Sequence, residues 1–179
     1  MSSSRPILIV DGLLDHRAVE TELRRCLDTV IRTARFALTY QVRAVDPAKH
    51  AAGAPAELEN PEILVIFSGP DQPLLLQHNA ELLKALEYLA LRWIRLDPQF
   101  YGRIRFDAGD YRAIRIEELK LSARVAAERV RETHAPFRFN AMAARERRIL
   151  HLVLKDEPGI RTASEGAGED RQVVVYPQG

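Results

Sequence analysis

Apolar positions along the chain switch repeatedly between helical and strand spacing. Over residues 17–35, Val19, Leu23, Leu27, Val30 and Ile31 recur mostly three and four apart, the stripe of an amphipathic helix. Leu38, Tyr40, Val42 and Ala44 then alternate with Thr39, Gln41 and Arg43, which predicts a strand. Glu62 to Ser68 is almost continuously apolar and predicts a strand covered on both faces. From Asn79, a candidate N-cap, to Leu96, the residues Leu82, Leu83, Leu86, Tyr88, Leu89, Leu91, Trp93 and Ile94 form an apolar face wider than one stripe. Pro98 stops that helix, and Arg103 to Asp107 alternates as a further strand.

The second half repeats the alternation of types with a different order. Asp110 is a candidate cap for a helix running to about His134, ended by Pro136. Phe137 to Phe139 is a short extended piece, and Met142 to Lys155 is a helix closed by Pro158-Gly159. Ile160 to Ser164 and Gln172 to Tyr176 read as strands around a turn at Glu165 to Gly168. Pro6 to Val10 reads as a short strand or ordered arm, and residues 46–61, with three prolines, one glycine and five alanines, read as a loop. The expected fold class is α+β: an arm over 1–14, a domain over 15–108 and a second over 109–179. Each domain is expected to lay helices on a small three-stranded sheet.

Composition narrows the class. The 179 residues, 46% hydrophobic and 28% charged, fit a globular chain of one or two domains. The single cysteine, Cys26, excludes an intramolecular disulfide and lies on the apolar side of the first helix, as a core thiol would. No run approaches a membrane span and no secretory leader is evident, so no membrane insertion is expected and the expected location is cytoplasmic. Neither CxxC, HExxH, Walker loop nor GxSxG is present, and the five histidines have no metal-ligand spacing. An enzyme is therefore not expected, nor a metal or cofactor.

Charge is neutral in total and uneven in place. Residues 103–151 hold 12 basic and 7 acidic side chains, while residues 61–102 hold 3 and 5. Within the basic stretch Arg147 and His151 stand four apart on the predicted helix, so they share a face with Arg148 and Lys155, opposite Met142, Ile149 and Val153. Arginine can pair with phosphate through two parallel hydrogen bonds, and histidine can stack or donate. Such a face suits a single strand better than a groove. By spacing alone a solvated charged face explains it as well. Arg112 and Arg115 either extend this face or pair with Asp110 and Glu118 along their own helix. Tyr111 and Trp93 sit in apolar periodic runs, which favours core packing over base stacking, and His134 suits a helix end.

The segments Asp110-Tyr-Arg-x-x-Arg115, Glu146-Arg-Arg-Ile-Leu-His151, Thr162-Ala-Ser-Glu-Gly166 and Arg171-Gln-Val-Val-Val175 together resemble the C-terminal domain of the bacterial Jag family (KhpB/EloR type). That domain takes its name from an Arg, three residues and a His, here Arg147 and His151. The resemblance covers about residues 109–177. In that family the RxxxH domain follows a KH domain of helix, strand, strand, helix, strand order, which the first half matches. The extra N-terminal domain of many Jag proteins is not expected here.

The resemblance implies a binder of single-stranded RNA, or less favourably DNA, through Arg147, His151, Arg148, Lys155, Arg112 and Arg115. It also implies a role in post-transcriptional control or in cell-envelope, elongation and division functions. The KH loop is Gly-x-x-Gly in the family and Gln77-His78-Asn79-Ala80 here. Both glycines are missing, and Cβ atoms obstruct a tight turn and close approach to a nucleic-acid backbone. The expectation is a KH half without ordinary loop binding, serving as scaffold or dimerisation surface. The competing class is therefore a protein-interaction adaptor, with a second copy or a small KH protein as partner.

Overall fold

The computed structural model describes residues 6–45 and 61–178, so the loop expected over 46–61 lies almost wholly outside the described residues. The chain divides into two compact units, with the division between Tyr111 and Arg112. Both are mixtures of helices and small sheets, and the fold class is α+β.

The first unit begins with a hairpin, β1 (Ile9–Val10) against β2 (Leu13–Leu14), where one short strand or arm is predicted. Helix α1 (His16–Ala34) is capped by the Asp15 carboxylate, which accepts from the amides of Arg17 and Ala18 at 3.1 and 3.0 Å. Its apolar stripe, Val19, Leu23, Cys26 and Leu27, is buried, as its spacing requires. Burial pushes the Cys26 thiol up to about 11, so it is an inert core group. Strand β3 (Thr39–Ala44) runs antiparallel to β4 (Ile63–Ser68), which runs parallel to β5 (Ile104–Ala108).

In β4, Ile63, Val65 and Phe67 are buried while Leu64 and Ile66 are half-buried, so the apolar run has one core face and one partly covered face. Gly69 follows at φ +121°, and a Cβ there would stand 2.5 Å from the Ala37 carbonyl oxygen. Only glycine allows the chain to leave the sheet at that point.

The long helical run α2 (Gln72–Trp93) starts earlier than the sequence predicts and is broken inside. Gln77 is extended, and His78, Asn79 and Ala80 take φ of 51°, 59° and 57°. Asn79 is therefore not an N-cap, whose backbone would be extended. The missing glycines do not prevent the tight turn. Three left-handed residues cost about 1–2 kcal/mol each, least for asparagine. Burial of Ala80 between the buried Leu75 and Leu83, and a hydrogen bond from the Tyr111 hydroxyl to the Asn79 carbonyl at 2.9 Å, hold the turn. Trp93, expected in the core, is 52% exposed, because the core face of this helix is taken by Leu83, Leu86, Ala90 and Leu91.

In the second unit α3 (Tyr111–Thr133) turns inward Ile116, Leu119, Ala123, Ala126, Ala127 and Val130. Its small alanines are the buried positions, while Ile114, Leu121 and Val125 are exposed. Asp110 precedes it at φ 55°, which is not an N-cap conformation. Strand β6 (Phe137–Arg138) pairs with β8 (Gln172–Pro177), which pairs with β7 (Ile160–Glu165), both antiparallel. Helix α4 (Ala144–Val153) is shorter than the predicted 142–155 and contributes Ile149 and Leu150 to a core completed by Val173, Val174 and Val175.

Candidate nucleic-acid interface

Arg147 and His151 are one turn apart on α4, as their spacing requires. Neither lies loose on a solvated face. The Arg147 Nη1 donates to the Met142 carbonyl at 3.0 Å and reaches the Arg171 carbonyl at 3.5 Å. Its guanidinium thereby ties the start of α4 to the segment entering β8. Its Nε and Nη2 have no hydrogen-bond partner among the described residues. An immobilised fork with two unused parallel donors fits one phosphate group.

The His151 ring is held at both ends. Nδ1 lies 2.7 Å from the Thr162 hydroxyl and Nε2 2.8 Å from the Ser164 hydroxyl. Thr162 and Ser164 alternate on β7, so both point to one face of the sheet, the face on which α4 lies. The expected free imidazole is therefore a half-buried ring fastened to β7. Burial first, and the Arg147 charge second, lower its proton affinity below the ordinary 6.5.

The direction sets a pH dependence. The unfolded chain protonates His151 near 6.5 and the folded chain only at lower pH. Stability is thus fully present above 6.5 and is lost as pH falls below 6.5 toward the folded-state value. An NMR titration of the His151 ring is expected to show a midpoint below 6.5, and Arg147→Ala to raise it. A midpoint at or above 6.5 contradicts this geometry.

The other predicted residues part company. Arg148 is exposed on α4. Lys155 is exposed beyond the end of the helix, which stops at Val153. Arg115 is not part of an open basic track. Its Nε donates to Glu146 at 2.7 Å and its Nη1 to Glu118 at 3.1 Å, clamping α3 to α4. Of the two readings of Arg115, ion pairing is the one the geometry has, with Glu146 added across helices. Arg112 is half-buried and also engaged. Gln77, His78 and Asn79 are exposed or half-buried and Ala80 is buried, all in the first unit.

Sequence reasoning missed Thr162 and Ser164 as the seat of the histidine, although their alternation on a predicted strand was a usable signal. It also missed the opposite face of the sheet. There Glu165 accepts from the Tyr176 hydroxyl and from Arg138 at 2.6 Å, and Arg161 lies 4.3 Å over the Tyr176 ring. Tyr176 and Arg138 hold the Glu165 carboxyl below its usual range. No group of three or more His, Cys, Asp or Glu side chains among the described residues could hold a metal ion. No described helix is long and apolar enough to cross a membrane.

A helix-and-sheet unit carrying an Arg-x-x-x-His turn of this kind is an RxxxH domain, and residues 117–177 match the family model of that domain. Three similar proteins are each named RNA-binding protein KhpB. The one from Clostridium symbiosum is 29% identical over 114 residues, 64% of this chain and 51% of that protein. The one from Bacillus subtilis strain 168 is 32% identical over 111 residues, 61% of this chain and 53% of that protein. The one from Streptococcus pneumoniae serotype 2 is 31% identical over 103 residues, 56% of this chain and 31% of that protein. These matches support a Jag (KhpB-type) protein with a C-terminal RxxxH domain. The chain spans about half the length of the first two relatives.

Proposed function

We propose that this protein binds single-stranded nucleic acid, RNA in preference to DNA, through the RxxxH unit. The observation that carries the reading is the Arg147 guanidinium, fixed through Nη1 on two carbonyls with Nε and Nη2 unused among the described residues. A donor pair held in place loses little entropy on pairing with phosphate. His151, seated on β7 one turn away, presents a largely neutral ring at pH 7 for contact with a base or sugar. Arg148 and Lys155 supply further phosphate contacts from exposed positions. The names of the KhpB relatives support RNA as the ligand.

Arg115 and Arg112 act by positioning in this reading. Arg115 holds α4 against α3 through Glu146, and so holds the helix that carries the site. The first unit, KH-like in its order of elements, contributes a glycine-free loop whose His78 and Asn79 make at most an accessory contact.

Fluorescence anisotropy with short single-stranded RNA and DNA over a salt series tests the reading. Three phosphate contacts give a log-log salt slope of about −2 on a single strand, and two charge reversals bring it to about −0.7. Arg148→Glu with Lys155→Glu is expected to flatten the slope in that way without loss of fold. A salt-independent affinity, or a slope indifferent to these changes, overturns the phosphate contacts.

A second reading, the protein-interaction adaptor, is favoured by Tyr88, Leu89 and Trp93, which stand 60%, 45% and 52% exposed on α2. In that case the first unit pairs with a second copy or a small KH-type partner. Sedimentation equilibrium of the wild type beside Trp93→Glu separates it from the first reading.

A further inference from the structure

We propose that the groove between the last turns of α1 and the outer edge of β3 takes an extended acidic peptide, which joins the first unit's sheet as an added strand. The chain itself builds the groove. Arg35 takes a left-handed φ of 56°, and the amides of Arg35 and Phe36 return to the carbonyls of Arg32 and Ile31 at 3.3 and 3.1 Å. Residues 36–40 therefore run back alongside the helix they have just left. The space between is about 620 Å³, floored by Ile31, Phe36 and Leu38 and rimmed by arginines.

The backbone of β3 is prepared for a partner. Among the described residues β3 pairs only with β4. The Ala37 carbonyl accepts from the Asp71 amide at 3.3 Å, and the Val45 amide donates to the Glu62 carbonyl at 2.8 Å. The odd-numbered residues thus turn their main-chain groups toward β4. In an antiparallel strand both groups of a residue point the same way, so the amides and carbonyls of Leu38, Tyr40 and Val42 point to the outer edge. An added peptide strand matches that alternation of donors and acceptors, as in β-augmentation. A sugar–phosphate backbone has no donors to match the carbonyls.

Charge selects an acidic strand. The one acid lining the groove, Asp28, is occupied by the Tyr40 hydroxyl at 2.5 Å. Arg24 is occupied by Glu20 at 2.7 Å. Arg32 and Arg35, at the open end, have no acidic partner among the described residues. The Tyr40 ring is unavailable to a base, since it packs at 6.1 Å on Phe67 and lies under Arg24 at 5.9 Å. These features favour a carboxylate-bearing peptide over a nucleic acid at this edge.

The test uses the full chain and a fluorescein-labelled heptapeptide, Thr-Glu-Val-Glu-Val-Glu-Thr, with the Lys-for-Glu peptide as control. Saturable binding of the acidic peptide alone is expected, with amide NMR shifts centred on Leu38 to Val42. Arg32→Glu with Arg35→Glu is expected to weaken it at least tenfold, leaving far-UV circular dichroism and RNA affinity unchanged. Equal binding of both peptides overturns the proposal, as does no binding at about 1 mM, a millimolar interaction being the weakest of use. Shifts confined to other regions also overturn it. Displacement of the peptide by a single-stranded RNA that perturbs the same amides assigns the groove to nucleic acid instead.

Discussion

RNA affinity is expected to fall about a hundredfold when Arg147→Glu is combined with His151→Ala. A charge-assisted hydrogen bond contributes about 1.5–3 kcal/mol, and tenfold in affinity corresponds to about 1.4 kcal/mol. The double variant removes the Nε and Nη2 donors, sets a carboxylate where a phosphate would lie, and deletes the neighbouring ring. The same change also touches the fold, because Arg147 bonds the carbonyls of Met142 and Arg171 and His151 bonds Thr162 and Ser164. These groups are half-exposed or near the surface and can turn to water, so the expected cost is about 1–2 kcal/mol and not collapse. Anisotropy should therefore be read beside a thermal melt. Retained affinity in the folded double variant would remove the site from α4, whereas lost affinity with a melt lowered by a few degrees supports it.

The largest effect on stability is expected from Phe67→Ala in the first unit. Phe67 lies in the central strand β4, is 1% exposed, and its ring sits 5.4 Å from Phe106 and 6.1 Å from Tyr40. Burying a ring and then deleting it loses transfer energy and leaves a cavity, together about 3–5 kcal/mol. That is a large part of the 5–15 kcal/mol available to a typical domain, ~10 at the centre. Urea unfolding followed by the single tryptophan, Trp93, reports this unit. A midpoint shifted by less than the equivalent of about 1 kcal/mol would mean that the core is not organised around this ring.

Legibility differed from element to element, and the reasons are physical. The stripe of α1 and the alternation of β3, β7 and β8 were readable because each face is decided by burial, and burial follows spacing. The length of α3 was readable too, but not its inward face. Three alanines lie inward while Ile114, Leu121 and Val125 lie outward, since close packing favours small residues there over large apolar ones. The resemblance located the 77–80 segment correctly as a loop position, yet the inference from its missing glycines went too far. Left-handed backbone is costly for His78, Asn79 and Ala80, not forbidden, and the buried methyl of Ala80 with the Tyr111 hydroxyl offsets the cost.

The candidate site divides along the same line. Sequence alone determined that Arg147 and His151 share one helical face, because a spacing of four is geometry internal to a single helix. It also determined the order of elements and the basic character of residues 103–151. Only the tertiary structure decided what each charge is doing. Arg115 is spent on Glu146 and Glu118, Lys155 lies past the helix end, and the His151 ring rests on two hydroxyls of β7. Those partners stand 31, 11 and 13 residues away in the chain for Glu146, Thr162 and Ser164. Which residues separated in sequence meet is fixed by how helices and strands pack, and no local pattern of polarity encodes that.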